Sequence, residues 1–119
     1  MRLAAIRIPC NDLAESGLFY EQQIGLEKSF GSSKEGYIGF NLDGVTLLLE
    51  PAEQGEYESG KYLGFSIEVD NVFDFYNTLS ARGVEFTHAP EAQTWGAMMT
   101  HIRDCSGNVL TIVERTSQA

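Results

Sequence analysis

His101-Ile-Arg-Asp-Cys-Ser-Gly-Asn-Val-Leu-Thr-Ile-Val-Glu114 reads as two strands around a tight turn. The run Asp104 to Asn108 holds residues that turns favour: Asp, Ser and Asn bond nearby backbone through their own side chains, and Gly meets no Cβ clash in left-handed conformations. β-Branched and apolar residues follow from Val109 to Val113, as a strand requires. The stretch is a hairpin. Its strands alternate between two faces, so one set of positions packs inward and the other looks out across the sheet. Thr111 lies in the second set, and what faces it decides between a metal enzyme and a binder.

Working outward, Met98 to Arg103 forms the first arm of the hairpin, reached by a loop through His88, Pro90 and Gln93 to Trp95. Val84 to Thr87 reads as a short strand. Asn71 caps a helix whose apolar face is Val72, Phe75, Tyr76 and Leu79 and which ends at Gly83. Tyr62 to Val69 alternates as a strand does. Pro51 to Lys61 is polar and aperiodic, and reads as a linker. Further upstream, Glu27 to Phe30, Tyr37 to Leu42 and Val45 to Glu50 read as strands, the last two joined by Asp43-Gly44, a strong hairpin signal. Asp12 opens a helix with Glu15 in capping-box position; Leu13, Gly17, Tyr20 and Ile24 form its face and Gly25 stops it. Leu3 to Ile8 reads as a strand bounded by Pro9. Cys10 and Cys105 fall in turns, and the tail from Thr116 reads as frayed.

The order is strand, helix, three strands, twice over. The helix caps Asp12 and Asn71, and the hairpin glycines Gly44 and Gly107, recur at a spacing of about 60 residues, which marks an internal repeat of one supersecondary unit. Each unit covers one sheet face with a helix and leaves the other free.

A chain of 119 residues suffices for one domain with its own core. Hydrophobic residues at 43% and charged residues at 21% are globular values and exclude wholesale disorder. The 17 Asp and Glu against 8 Lys and Arg give a formal charge of −9, which argues against nucleic acid or anionic membrane as partner and favours a cationic small molecule. Two cysteines make no disulfide framework, and the apolar N-terminal run is broken by Arg7 and Pro9 before it could serve as a signal core. A cytoplasmic protein is expected.

Asn11-Asp12-Leu13, Phe19-Tyr20, Ile24-Gly25-Leu26, Glu68-Val69-Asp70-Asn71-Val72, Leu79, Arg82-Gly83-Val84, Trp95-Gly96, Asp104 and Gly107-Asn108 stand in an order that resembles the vicinal oxygen chelate superfamily. That group contains glyoxalase I, extradiol dioxygenases, and fosfomycin- and bleomycin-resistance proteins. The resemblance spans nearly the whole chain. It implies an α+β fold of two tandem βαβββ modules, with curved mixed sheet around a ligand cleft, in a single domain 1–119 (module 1, 1–50; linker 51–61; module 2, 62–115). It also implies a homodimer, as for many members of this length.

The metal enzymes of the superfamily take ligands from the first and last strands of each module. Carried over by counting from the helix caps and turn glycines, those positions are Ala5, Leu48, Gly64 and Thr111. Metals need imidazole or carboxylate donors, and none stands there, so no metal and no cofactor is expected. Three alternatives exist: a shifted register bringing in Glu50, an odd slip or bulge bringing in Glu114, or His101 from a neighbouring strand. Alternation from these positions predicts a ligand-binding face that includes Arg7, Glu50, Tyr62, Ser66 and Thr111. The resemblance to the fosfomycin-resistance group adds His101 and Met99, and Trp95 either stacks on a planar or cationic ligand or plugs the end of the module. Arg7 either grips an anionic ligand group or pairs with Glu50 or Glu68. His101 is either a general acid or base or a bonded wall residue. The catalytic residues are unknown. The reading that follows is a metal-free binder of a small organic molecule, cationic or aromatic; the alternative is a metal-dependent lyase or dioxygenase with displaced ligands.

Overall fold

The computed structural model describes residues 1–115; the expectation of a frayed tail from Thr116 lies outside them. The chain divides into two compact units, one of Met1–Lys61 with the hairpin tip Cys105–Gly107, the other of Tyr62–Asp104 with the residues from Asn108 on.

The first unit contains β1 (Ala5–Cys10), α1 (Leu13–Leu18), a π-helical continuation (Phe19–Ile24), β2 (Glu27–Ser32), β3 (Tyr37–Leu42) and β4 (Val45–Pro51). Its sheet runs β1-β4-β3-β2, with β1 parallel to β4 and the other neighbours antiparallel. The second unit contains β5 (Tyr62–Val69), α2 (Val72–Ala81), β6 (Glu85–Phe86), β7 (Glu91–Ala92), β8 (Met98–Arg103) and β9 (Val109–Glu114). Its sheet runs β5-β9-β8-β6, with β7 added on β8, and β5 is parallel to β9. The strand order of the first unit recurs in the second, so the repeat read from the sequence is a repeat of topology. The fold is α+β, a mixed sheet with a helix in each unit.

Local chemistry explains the element ends. Asp12 is extended and its carboxylate accepts from the Glu15 N–H at 3.0 Å; Asn71 does the same for the Asp74 N–H at 3.0 Å. Gly25 closes the first helix in the left-handed region at φ 91°. Asp43 and Gly44 both take positive φ, the conformation of a tight two-residue hairpin turn. The helix-side core of the first unit is Ile8, Tyr20, Ile38, Phe40, Leu47 and Leu49, and that of the second includes Val72, Ile102, Leu110 and Ile112, all buried. Gly17 lets α1 approach β3 closely: a Cβ there would lie 2.7 Å from Ile38 Cδ1.

The structure corrects several expected boundaries. The first strand runs through Pro9 to Cys10, because β1 ends the strand order and proline's missing N–H is tolerated on such a strand. Cys10 is therefore a buried strand residue and not a turn residue. The first helix widens into a π-helix at Phe19. The expected linker carries a β-bridge between Glu53 and Tyr57, and the loop before Trp95 carries β7.

Candidate functional site

In the sheet of the second unit, and on β4 of the first, alternation separates a more buried helix-facing set from an open set. On β5 the burial pattern alternates residue by residue, with Tyr62, Gly64, Ser66 and Glu68 exposed. On β9, Leu110 and Ile112 are buried whereas Thr111 and Val113 are half-buried, and on β8, Thr100 and Ile102 are buried whereas Met99 and His101 are half-buried. Ser66 pairs with Thr111, and Thr111 with His101. The second unit thus brings Ser66, Thr111 and His101 into one row, with Met99 two residues along β8. Val109, which shares their face by alternation, is buried. In the first unit Arg7 pairs with Leu48, and Ala5 with Thr46.

The positions that would hold a metal do not fit one. Ala5, Leu48 and Gly64 offer no donor, and Thr111 only a hydroxyl. Gly64 falls within the register irregularity of β5 between Tyr62 and Ser66, where an added Cβ would meet nothing within 4 Å. The three alternative donors are otherwise engaged. Glu50 is held by Arg7 and Tyr57; Glu114 accepts the Val72 N–H at 3.1 Å, at the start of α2; His101 bonds His88. Among the described residues no three His, Cys, Asp or Glu side chains form a group that could hold a metal ion.

Two polar clusters remain. In the first, the Arg7 Nε–H donates to Glu50 Oε1 at 2.7 Å, the Tyr57 hydroxyl donates to the same oxygen at 3.1 Å, and the guanidinium lies 5.2 Å from the Tyr57 ring centroid. Burial, then the bond to Glu50, pushes the Tyr57 phenol well above its ordinary range, so it stays protonated and donates. The Arg7 pKa is raised by its hydrogen bond to Glu50 and by that carboxylate's charge. Of the two roles for Arg7, the pairing with Glu50 is the one formed; Glu68 pairs with Arg115. A cavity of about 410 Å³ is lined by Arg7, Glu50, Glu53, Glu56 and Tyr57 among others. One guanidinium against three carboxylates leaves it net negative.

In the second cluster, His101 Nδ1 lies 3.1 Å from His88 Nε2, and the His101 ring meets the Tyr62 ring edge-on at 5.5 Å and 72°. His88 is further fixed through Nδ1, 2.8 Å from the Ala89 carbonyl, while its own carbonyl accepts from the Thr100 hydroxyl at 2.7 Å. Burial, then the neighbouring His88, lowers the His101 pKa. Trp95 stands in the turn between β7 and β8, exposed to solvent and not plugging the end of the module.

Tyr57 and His88 escape a reading of the sequence. Tyr57 is the one aromatic residue in the polar stretch 51–61, which is the signal that could have found it. His88 follows directly from the β6–β8 pairing, in which the Thr87 N–H bonds the His101 carbonyl at 3.0 Å.

Comparison with known proteins agrees with this architecture. A crystal structure of a member of the glyoxalase/bleomycin resistance protein/dioxygenase superfamily from Sphaerobacter thermophilus superposes with a TM-score of 0.83 at 25% identity, covering 97% of this chain and 98% of that one. TnmS3, an antibiotic binding protein from Streptomyces sp. CB03234, gives 0.82 at 18% identity over 98% and 97%. Lactoylglutathione lyase from Agrobacterium tumefaciens gives 0.77 at 19% identity over 95% and 92%. The last two likenesses concern the fold alone. The family description Glyoxalase/Bleomycin resistance protein/Dioxygenase superfamily matches residues 2–112, and the chain belongs to that superfamily.

Proposed function

We propose that this protein is a metal-free binder of a small organic molecule, cationic or aromatic, which it sequesters, acting as a homodimer. The observation that carries the reading is the residue set at the superfamily's metal positions. Ala5, Leu48, Gly64 and Thr111 cannot furnish a donor set, and Glu50, Glu114 and His101 are each committed to another partner. What the open faces offer instead is aromatic surface with a few polar groups, the make-up of a small-molecule site. Tyr62, Trp95, Phe30 and Tyr37 are all exposed. The negative cavity beside Tyr57 and the formal charge of −9 favour a cation. Likeness in fold to an antibiotic binding protein is consistent with sequestration. The proposed ligand contacts are Arg7, Glu50, Tyr62, Ser66, Trp95, Met99, His101 and Thr111.

The competing reading, a metal-dependent lyase or dioxygenase, draws on the similar fold of the lactoylglutathione lyase. Metal analysis of protein purified without chelator separates the two: stoichiometric Ni, Zn, Fe or Mn refutes the binder reading. A thermal-shift panel of cationic and aromatic compounds tests the reading directly. A ligand at one hundred times its Kd stabilises the folded state by about 2.7 kcal/mol, a readily measured shift. No shift with any compound refutes it.

A further inference from the structure

The hydrogen bonds around His101 determine which of its nitrogens carries the proton. A carbonyl oxygen can only accept, so His88 Nδ1, 2.8 Å from the Ala89 carbonyl, bears a hydrogen. The Glu91 carboxylate lies 3.9 Å from the same Nδ1. When His88 is neutral its single N–H is the one at Nδ1, which leaves Nε2 as a lone pair. That lone pair lies 3.1 Å from His101 Nδ1, which must then be the donor. His101 Nε2 is left as an acceptor. It has no hydrogen-bond partner among the described residues and is not among the buried atoms shut away from one. Beside the His101 ring stands the Tyr62 ring, centroid to centroid 5.5 Å and 67% exposed. The ring of His101 is thus held at Nδ1 by a backbone-anchored imidazole, and the same ring adjoins an open aromatic surface.

We propose that His101 Nε2, fixed as an acceptor through His88 and the Ala89 carbonyl, forms with the Tyr62 ring a recognition element for a planar molecule bearing an N–H or O–H donor, neutral or cationic. This rests on the small-molecule binding reading above and narrows it to a ligand class. Phenols, indole-type heterocycles and protonated heteroaromatics present both a donor and a ring face; carboxylates and other anions present lone pairs to a lone pair and are rejected. His88 acts as a positioning residue, since it sets the tautomer of His101 and need not touch the ligand. The depressed pKa of His101 keeps the ring neutral at neutral pH. The fixed tautomer matters because an imidazole free to exchange its proton offers a donor or an acceptor with equal ease, and discriminates little between them.

Long-range ¹⁵N–¹H correlation spectra of the histidine rings at neutral pH test the first half: His88 and His101 are both expected to carry the proton on Nδ1. Fragment titrations followed at His101 and Tyr62 test the second, using the pairs phenol and anisole, and indole and 1-methylindole, with benzoate as the anionic probe. The donor of each pair is expected to bind about fivefold more tightly than its methylated partner, the ratio that one net hydrogen bond supplies, and benzoate not to bind. His101→Phe keeps an aromatic ring and should abolish the preference; His88→Ala should reduce it, with circular dichroism confirming that both variants fold. A proton on His101 Nε2, or equal binding within each pair, overturns the inference while leaving small-molecule binding intact. No response to any probe overturns both together.

Discussion

Removal of the Asp104 side chain should loosen the hairpin that carries both His101 and Thr111. Asp104 is only 6% exposed and Asn108 fully buried. The Asp104 carboxylate accepts from the Asn108 backbone N–H at 2.9 Å through one oxygen and from the Asn108 side-chain amide at 2.9 Å through the other, while the Asp104 N–H donates to the Asn108 carbonyl at 2.9 Å. A hydrogen bond to a charged group contributes about 1.5–3 kcal/mol, and two donors left buried add their own desolvation cost. Loss of the two bonds should therefore make Asp104→Ala destabilising by about 3–6 kcal/mol, a large part of the roughly 5–15 kcal/mol of a typical domain. Asp104→Asn keeps the shape but turns one acceptor into a donor facing a donor, and should cost about 1–2 kcal/mol. Urea unfolding of the single variants and of Asp104→Ala with Asn108→Ala completes a double-mutant cycle, with an expected coupling of about 1–3 kcal/mol. A loss below about 1 kcal/mol for Asp104→Ala, or additive single effects, would refute the claim that this pair locks the turn.

Three further outcomes follow from the geometry. Tyr57→Phe removes one of the two donors to Glu50 in a half-buried setting and should cost about 1 kcal/mol in urea unfolding, with the secondary structure seen by circular dichroism unchanged. Asp12→Ala and Asn71→Ala each delete a helix cap and should each cost about 1 kcal/mol, additively because the two caps serve separate helices. His101 has a folded pKa below its unfolded value, so below the ordinary value the unfolded chain binds more protons than the native one. Its contribution is free of penalty above about pH 6.5, and stability is lost as pH falls through that value until it levels off below the folded pKa. Melting temperatures between pH 5 and 8 should show this loss in the parent protein and a flatter profile in His101→Phe.

Strands whose ends coincide with a change of side-chain pattern are legible without the structure. Tyr37–Leu42, Tyr62–Val69, Met98–Arg103 and Val109–Glu114 occupy the predicted spans because alternation and turn residues are both local signals. The cap residues are legible for the same reason. The π-helix at Phe19 is not: Leu13, Gly17, Tyr20 and Ile24 carry an α-helical period, and the widened turn puts Phe19 and Tyr20 into the core while Leu13 and Ile24 are only half-buried. Pro9 misled because proline ends a strand in most sheet positions but not at the end of a strand order. Period two, counted from the positions the superfamily resemblance supplied, put Ser66 and Thr111 on one face, and the resemblance itself added His101; the pairing of the three in one row is set by the strand register. Tyr57 and His88 could not, since each reaches its partner through a loop whose path depends on long-range packing.

The stability of the fold and the freedom at the site have one cause. The helix-facing residues Ile8, Leu47, Leu49, Leu110 and Ile112 bury the apolar area that stabilises each unit, and the alternate positions contribute little to that core. Replacement of a metal donor by Thr111 or Leu48 therefore need not disturb the sheet that carries it. Two selective features then arise on separate units by unrelated means. Arg7 is neutralised by Glu50, which leaves Glu53 and Glu56 to set the sign of its cavity; His101, in the proposed tautomer, offers Nε2 as an acceptor. An uncompensated Arg7 would have attracted anions, and a proton on His101 Nε2 would have done the same. Both features instead disfavour anions and admit cations or neutral donors, so the proposed ligand class rests on two independent pieces of electrostatics besides the overall charge of the chain.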